Sequence, residues 1–220
     1  MKDNNIKNLQ NIPAYFKLIS ITRIFFLIFL WNLIGCGISD STLLERKLLA
    51  QKSIKENAEI NAFRFRQFPK ITRLPDINGN LNSLFYENNE KLTVLHFWAT
   101  WCVPCRAELR DFRYLQKLYQ QQINFVLIAV LDSAQDVRAF SKKYSIEDFK
   151  ILLDRGNHLS EKLGLDGVPA TIFVDKNKTI LSVPDPSLDN ARPQAAFVGP
   201  REWLSLRGLR AIETALKVSR

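Results

Sequence analysis

Two cysteines three residues apart, set between a strand and a helix, restrict this chain more than any other feature. Leu92 to Phe97 is an apolar run that reads as a buried strand, and Lys91 to Trp98 is its full extent. A long helical pattern begins near Cys102 and runs to about Gln122. Cys102 therefore falls at a helix N-terminus, where the first N–H groups have no partner within the helix and the dipole is positive. Both effects stabilise a thiolate, lower its pKa and make it a better nucleophile at neutral pH. Cys105 lies one turn further on, within reach of a mixed disulfide formed at Cys102. Pro104 sits in the first turn, where a missing N–H costs little.

At 100° per residue, Cys105, Glu108, Phe112, Leu115 and Tyr119 fall on one stripe of that helix. The stripe is mostly apolar, so it faces inward and takes Glu108 with it. A carboxylate on an apolar stripe needs a reason, because burying its charge is costly. A partly buried carboxylate with a raised pKa can take the proton that Cys105 must lose; the bland alternative is a Glu that turns to solvent at the helix edge. Alternation along the preceding strand puts Val94, His96 and Trp98 on one face. A neutral His96 can relay protons, although a histidine there is more often a hydrogen-bonded core residue. Trp98 is expected in the core, and Trp101 either on an apolar rim where substrates dock or packed as a structural tryptophan. His158 opens a helix and reads as a surface residue.

The remaining chain alternates strands and helices. Asn78-Gly79 marks a hairpin between two short alternating runs ahead of the core strand. Ile123 to Leu131 reads as a buried parallel strand, Asp132-Ser133 as the opening of a helix through Val137, Phe140 and Tyr144, and Ile151 to Leu153 as a short strand. Asn157 to Leu165 is expected to be a helix ending at Gly167, followed by a strand over Val168 to Asp175 and a hairpin partner over Ile180 to Val183. A loop over 184–200 and a last helix from about Arg201 to Val218 complete the pattern, which predicts an α/β fold with a mixed central sheet flanked by helices.

The 220 residues suffice for one well-buried domain with appendages. The net charge of +9 invites a nucleic-acid reading, but the basic residues are scattered, and Lys2, Lys7, Lys17 and Arg23 precede the apolar run Ile24 to Ile34. Diffuse charge of this kind suits solubility and anionic lipid better than a nucleic-acid groove. A basic leader, a short apolar run and small residues at its end read as a secretory signal over 1–36. Leu33-Ile34-Gly35-Cys36 resembles a bacterial lipobox, in which Cys36 is lipidated and becomes the mature N-terminus. The alternative is an uncleaved anchor starting near Leu18. Both place the rest of the chain outside the cytoplasmic membrane. Residues 37–68 read as a tether, with Ser39 to Thr42 capping a short helix, and 69–220 as the domain. No metal or cofactor is expected: zinc needs four ligands, or three and a water, and beyond Cys102 and Cys105 the only candidates are His96, His158 and Cys36, the last of which the lipobox reading lipidates.

The stretch Trp98-Ala99-Thr100-Trp101-Cys102-Val103-Pro104-Cys105 resembles the active-site signature of the thioredoxin superfamily, and the preceding hairpin and the tail Gly199-Pro200-Arg201-Glu202-Trp203 are similar to the membrane-tethered TlpA/ResA-like branch. The resemblance covers about residues 69–220. It implies a thioredoxin-like fold with Cys102 and Cys105 as a redox-active pair, Cys102 attacking and Cys105 resolving. It implies that Pro169 is cis and faces the pair, that Val168 offers backbone groups to a substrate strand, and that Trp101 and Pro104 lie in the substrate-binding surface. ResA-like members carry a glutamate at the spacing of Glu108, whereas His96 departs from the buried aspartate of thioredoxin itself. The activity implied is reduction of disulfides in exported proteins, such as apocytochromes c or copper-site assembly proteins, with re-reduction by a membrane electron carrier. Two other readings stand beside it: a disulfide-forming oxidase, and a binding or chaperone module whose cysteines are incidental.

Overall fold

The structure, a computed structural model, describes residues 39–56, 63–86, 90–187 and 193–220. The elements in order are α1 (Asp40–Glu56), β1 (Phe63–Gln67), β2 (Arg73–Pro75), β3 (Leu81–Ser83), β4 (Leu92–Trp98), α2 (Val103–Tyr119), β5 (Ile123–Val130) and α3 (Ala134–Tyr144). They continue as β6 (Lys150–Asp154), α4 (His158–Leu163), β7 (Ala170–Val174), β8 (Thr179–Pro184), β9 (Pro193–Gln194), β10 (Phe197–Val198) and α5 (Leu206–Val218).

All seven residues of β4 are buried, because the sheet is covered on both faces. The strand order is β1-β8-β7-β4-β5-β6, with β9 added to β8 and β10 to β7. β4, β5 and β6 are parallel, and β7 returns antiparallel to β4, so the mixed sheet expected from the sequence is present. Alternation along β4 divides the core. Leu95 and Phe97 pack with Val126, Ile128, Leu159 and Ile172 on one face. On the other, His96 and Trp98 meet Phe112 of α2 and Phe140 of α3, with ring centroids 4.4 and 5.0 Å apart. The Asn78-Gly79 hairpin joins β2 to β3: Gly79 takes φ 87°, and the Asp76 carboxylate accepts the N–H groups of Asn78 and Asn80.

Several boundaries differ from expectation. The stretch 37–68 is not a simple tether over its described residues. β1 pairs with β8 as an edge strand of the main sheet, and α1 buries Leu43 and Ala50, seven residues apart on one helix face. Arg46 donates to the Leu204 carbonyl, Gln51 to the Glu213 carboxylate and Arg210 to the Ser53 hydroxyl, which fixes α1 to the domain. The helix expected to end at Gly167 ends at Gly164, whose left-handed φ of 73° brings its N–H to the Glu161 and Ser160 carbonyls. The loop expected over 184–200 contains β9 and β10. The last helix begins at Leu206 rather than Arg201, because Ser205 supplies the cap by accepting the Gly208 N–H. No helix among the described residues is long and apolar enough to cross a membrane, and the apolar run 24–34 and Cys36 lie outside the described residues.

Candidate active site

α2 starts as the cysteine spacing requires. Cys102 is its N-cap, Pro104 sits in the first turn, and Cys102 Sγ accepts the Cys105 N–H at 3.2 Å. The two cysteines are joined in a disulfide with Cα atoms 5.4 Å apart. Cys105 is buried, and Cys102 is only 4% exposed. Around them Trp101 and Val103 stand out, 60% and 69% exposed, and Pro104 is also exposed. The loop leading to Trp101 is clamped from β5: the Thr100 N–H and hydroxyl donate to the two carboxylate oxygens of Asp132, at 2.7 and 2.8 Å.

Val168-Pro169 is a cis peptide, with Pro169 buried and Val168 half-buried. β7 follows directly. Because β7 runs antiparallel to β4, with Ala170 opposite Phe97, Pro169 lies at the sheet end from which the cysteine loop leaves. The Gly199 N–H donates to the Pro169 carbonyl at 2.8 Å, so the tail segment is tied to the same corner.

The inward stripe of α2 is present as expected: Cys105, Glu108, Phe112, Leu115 and Tyr119 are all buried. Glu108 Oε1 accepts the Arg201 N–H. Its Oε2 has no hydrogen-bond partner among the described residues and faces His96 Nδ1 at 3.7 Å. His96 Nδ1 shares a 3.0 Å hydrogen bond with the Thr171 hydroxyl, and its Nε2 has no partner among the described residues. Burial pushes Glu108 up to about 8, against the opposing pull of the Arg201 N–H and the nearby Trp203 indole. Burial pulls His96 down to about 3. A neutral acid and a neutral base thus lie side by side one helical turn from Cys105. Arg201 reaches Glu108 through its backbone because its side chain is held elsewhere: Nε and Nη2 donate to the two Asp185 oxygens at 2.8 Å each.

Sequence reasoning located Cys102, Cys105, Glu108, His96, Trp101, Pro104, Val168 and Pro169. It passed over Thr171 of β7, Asp132 just after β5 and Asp185 just after β8, which act on the site from distant parts of the chain and leave no local signature. Arg201 and Trp203 carried a signal only through the tail resemblance.

A disulfide-bonded cysteine pair capping the helix that follows the central strand, with a cis proline just ahead of the antiparallel neighbour, defines a thioredoxin-fold protein. Residues 66–183, more than half of the chain, match the AhpC/TSA family, and the chain belongs to that family. It is similar to the thiol-disulfide oxidoreductase ResA of Geobacillus thermodenitrificans, 28% identical over 111 residues that cover 50% of this chain and 63% of that protein. It is also similar to the thioredoxin-like protein YneN of Bacillus subtilis, 31% identical over 113 residues that cover 50% of this chain and 65% of that one. The chain thus spans less than two thirds of the length of these relatives. The solved structure of MTB dsbF superposes with a TM-score of 0.52 at 22% identity, covering 67% of this chain and 99% of that one, and shares the fold.

Proposed function

We propose that this chain is a thiol–disulfide oxidoreductase, held at the outer side of the cytoplasmic membrane, that reduces disulfides in exported proteins. The observation that carries the reading is the disulfide at the N-cap of α2 with a buried carboxyl one turn behind it. In the reduced protein the Cys102 thiolate attacks one sulfur of the client disulfide, and the other client sulfur leaves as a thiolate. Cys105 then gives its proton to Glu108 in the fraction of molecules where that carboxyl is ionised, and attacks Cys102 Sγ, releasing the second client thiolate and closing the Cys102–Cys105 disulfide. Two electrons pass to the client, and a membrane electron carrier returns them. The Cys105 N–H on Cys102 Sγ supports a stabilised thiolate at Cys102, and Trp101, Pro104, Val168 and Pro169 supply the surface on which the client lies. The names of the ResA relatives support the activity. Cys36 carries the lipid that attaches the chain, and exported proteins with metal-binding cysteines, such as apocytochromes c or copper-site assembly proteins, are the clients.

Equilibration of the purified chain with glutathione or dithiothreitol buffers tests the direction. A reductant sits toward the thioredoxin potential of about −270 mV, and a disulfide-forming oxidase near about −120 mV. Insulin reduction by the wild type and by Cys102→Ser tests the chemistry, since equal rates are the signature of a binding module with idle cysteines.

A further inference from the structure

The tail that follows β10 meets α2 through its backbone and through one ring. The Arg201 N–H donates to Glu108 Oε1, and the N–H groups of Leu204 and Trp203 pull on the Asp111 carboxyl, one turn further along α2. The Trp203 side chain is buried among aromatic rings, with centroids 5.8 Å from Phe112, 6.0 Å from Phe173 and 5.9 Å from Phe197. Phe112 shares the inward stripe of α2 with Glu108, and its ring lies 4.4 Å from His96, whose Nδ1 faces Glu108 Oε2. Trp203 is therefore packed into the corner that holds the Glu108 carboxyl.

The Trp203 indole N–H and Glu108 Oε2 are both buried without a hydrogen-bond partner among the described residues. An idle buried donor is costly and calls for an explanation. The protonation state of Glu108 supplies one. Oε1 takes the Arg201 N–H, so the proton of the neutral carboxyl belongs on Oε2, which is then itself a donor and ill suited to accept from the indole. Once Glu108 ionises, Oε2 is an acceptor, and the indole is near enough to favour the charged form. The other groups facing this carboxyl do not replace that donor. His96 on β4 is held neutral by burial, and Asp111 on α2 opposes ionisation by its charge. The Arg201 guanidinium favours ionisation, but its hydrogen bonds go to Asp185.

We infer that Trp203 is a positioning residue for the resolving step, whose buried indole N–H is the second donor to the Glu108 carboxylate and keeps that group ready to receive a proton. The inference rests on the proposed thiol–disulfide exchange and assigns a new residue to its second half. One proton moves in the step: Cys105 loses it, Glu108 Oε2 gains it and the indole lets go. The Cys105 thiolate then forms the bond to Cys102 Sγ, the bond from Cys102 to the client sulfur breaks, and that sulfur leaves with the electron pair. Loss of the Glu108 proton to solvent restores the indole contact.

The test uses the full chain with isotope-labelled glutamate carboxyls and two replacements at position 203. Trp203→Phe removes the N–H and part of the ring. Benzothienylalanine in place of Trp203 keeps the bicyclic shape and carries sulfur where the N–H was, so it separates the donor from the packing. Carbon NMR of the oxidised chain follows the Glu108 carboxyl, identified as the signal missing from Glu108→Gln. The wild type is expected to titrate near 8. Both replacements are expected to titrate about one pH unit higher, the effect of losing one hydrogen bond to a charged group. The reduced chain is then mixed with Ellman's reagent, from which attack by Cys102 releases one coloured thiobenzoate and resolution by Cys105 a second. Both replacements are expected to match the wild type in the first release and to be about tenfold slower at pH 7 in the second, since about tenfold less Glu108 is ionised. An unmoved carboxyl titration in both replacements overturns the inference. So does a shift in Trp203→Phe that benzothienylalanine fails to reproduce, which would make Trp203 a packing residue alone. No second release by the wild type overturns the exchange reading and the resolving role with it, whereas a normal second release beside an unmoved titration removes the role of Trp203 and leaves the exchange intact.

Discussion

His96 Nδ1 lies 3.7 Å from Glu108 Oε2, with both side chains buried and each kept neutral by the cost of charging it there. Two strands and a helix meet to make the contact. β4 supplies the imidazole, Thr171 of β7 holds its Nδ1, and α2 supplies the carboxyl from the stripe that also carries Cys105. The tail completes it by placing the Arg201 N–H on the other carboxyl oxygen.

The pair makes the stability of the oxidised protein level over a window of pH. Unfolded, His96 binds its proton below 6.5, while folded it waits until about 3, so its contribution is lost as pH falls below 6.5. Unfolded, Glu108 loses its proton above 4.5, while folded it keeps it to about 8, so its contribution is lost as pH rises from 4.5 to 8. Between 4.5 and 6.5 the two slopes cancel. On either side one slope survives, at about 1.4 kcal/mol per pH unit. Urea unfolding across this range is expected to show that Glu108→Gln abolishes the alkaline fall and His96→Gln the acid one. Differences from wild type that do not vary with pH would rule out this assignment.

Glu108 is also expected to control the second half of the exchange. A carboxyl pushed up to about 8 is a proton acceptor poised near neutral pH, the condition for efficient proton transfer. Glu108→Gln keeps the side chain's shape and removes the acceptor. Attack by Cys102 on Ellman's reagent is expected to change by less than about threefold, while resolution by Cys105 slows by about 100-fold at pH 7. Acid quenching and mass spectrometry measure this as accumulated mixed disulfide. In the wild type the resolving rate is expected to climb with pH and level off near 8, and in the variant that inflection is absent.

Much of this site could be read from residue order alone, and the parts that could not have a common cause. β4 and α2 are long, and their patterns are unambiguous: an unbroken apolar run, then a stripe at helical spacing beginning at a cysteine pair. Glu108 could be placed inside because Phe112, Leu115 and Tyr119 share its face. β9 and β10, two residues each, are too short to carry any periodicity, and β1 is an edge strand whose partner, β8, lies more than 100 residues away. Arg201 was hidden for a different reason. It acts on Glu108 through its backbone N–H, and a backbone group leaves no trace in the identity of a side chain.

The Arg201 guanidinium is what holds that N–H in place, so its partner Asp185 is expected to matter at a distance. Burial alone would raise the Asp185 carboxyl, but the two Arg201 hydrogen bonds and those from Ser187 outweigh it and hold the carboxyl below its usual range. Asp185→Asn leaves Arg201 largely buried with half its pairing, and is expected to cost about 3 kcal/mol in unfolding free energy. Arg201→Lys is expected to cost nearly as much, because an ammonium cannot reproduce the two parallel bonds. Asp185→Asn is also expected to move the alkaline stability limb of the Glu108 carboxyl to higher pH, since a loosened tail withdraws a donor that favours its ionised form. An unmoved limb would show that the tail keeps its place without the ion pair.

α1 supplies the clearest contrast between a spacer and a structural element. Leu43 and Leu48 belong to the same helix, yet Leu43 is buried and Leu48 is exposed. In a spacer both truncations would be nearly neutral. In the docked helix Leu43→Ala leaves a cavity and is expected to lower stability by about 2–4 kcal/mol, while Leu48→Ala stays within about 0.5 kcal/mol. The Gln51 amide and the Tyr119 hydroxyl, at 3.1 and 2.9 Å, converge on the Glu213 carboxylate, with Lys47 over the Tyr119 ring. Tyr119 ends the helix that begins at Cys102, so α1 braces the far end of the redox helix rather than hanging free of it. Hydrogen exchange at the last turn of α2 provides the readout. Faster exchange there in Leu43→Ala than in Leu48→Ala is expected if α1 is docked, and equal exchange in the two variants would return 40–56 to the role of a tether.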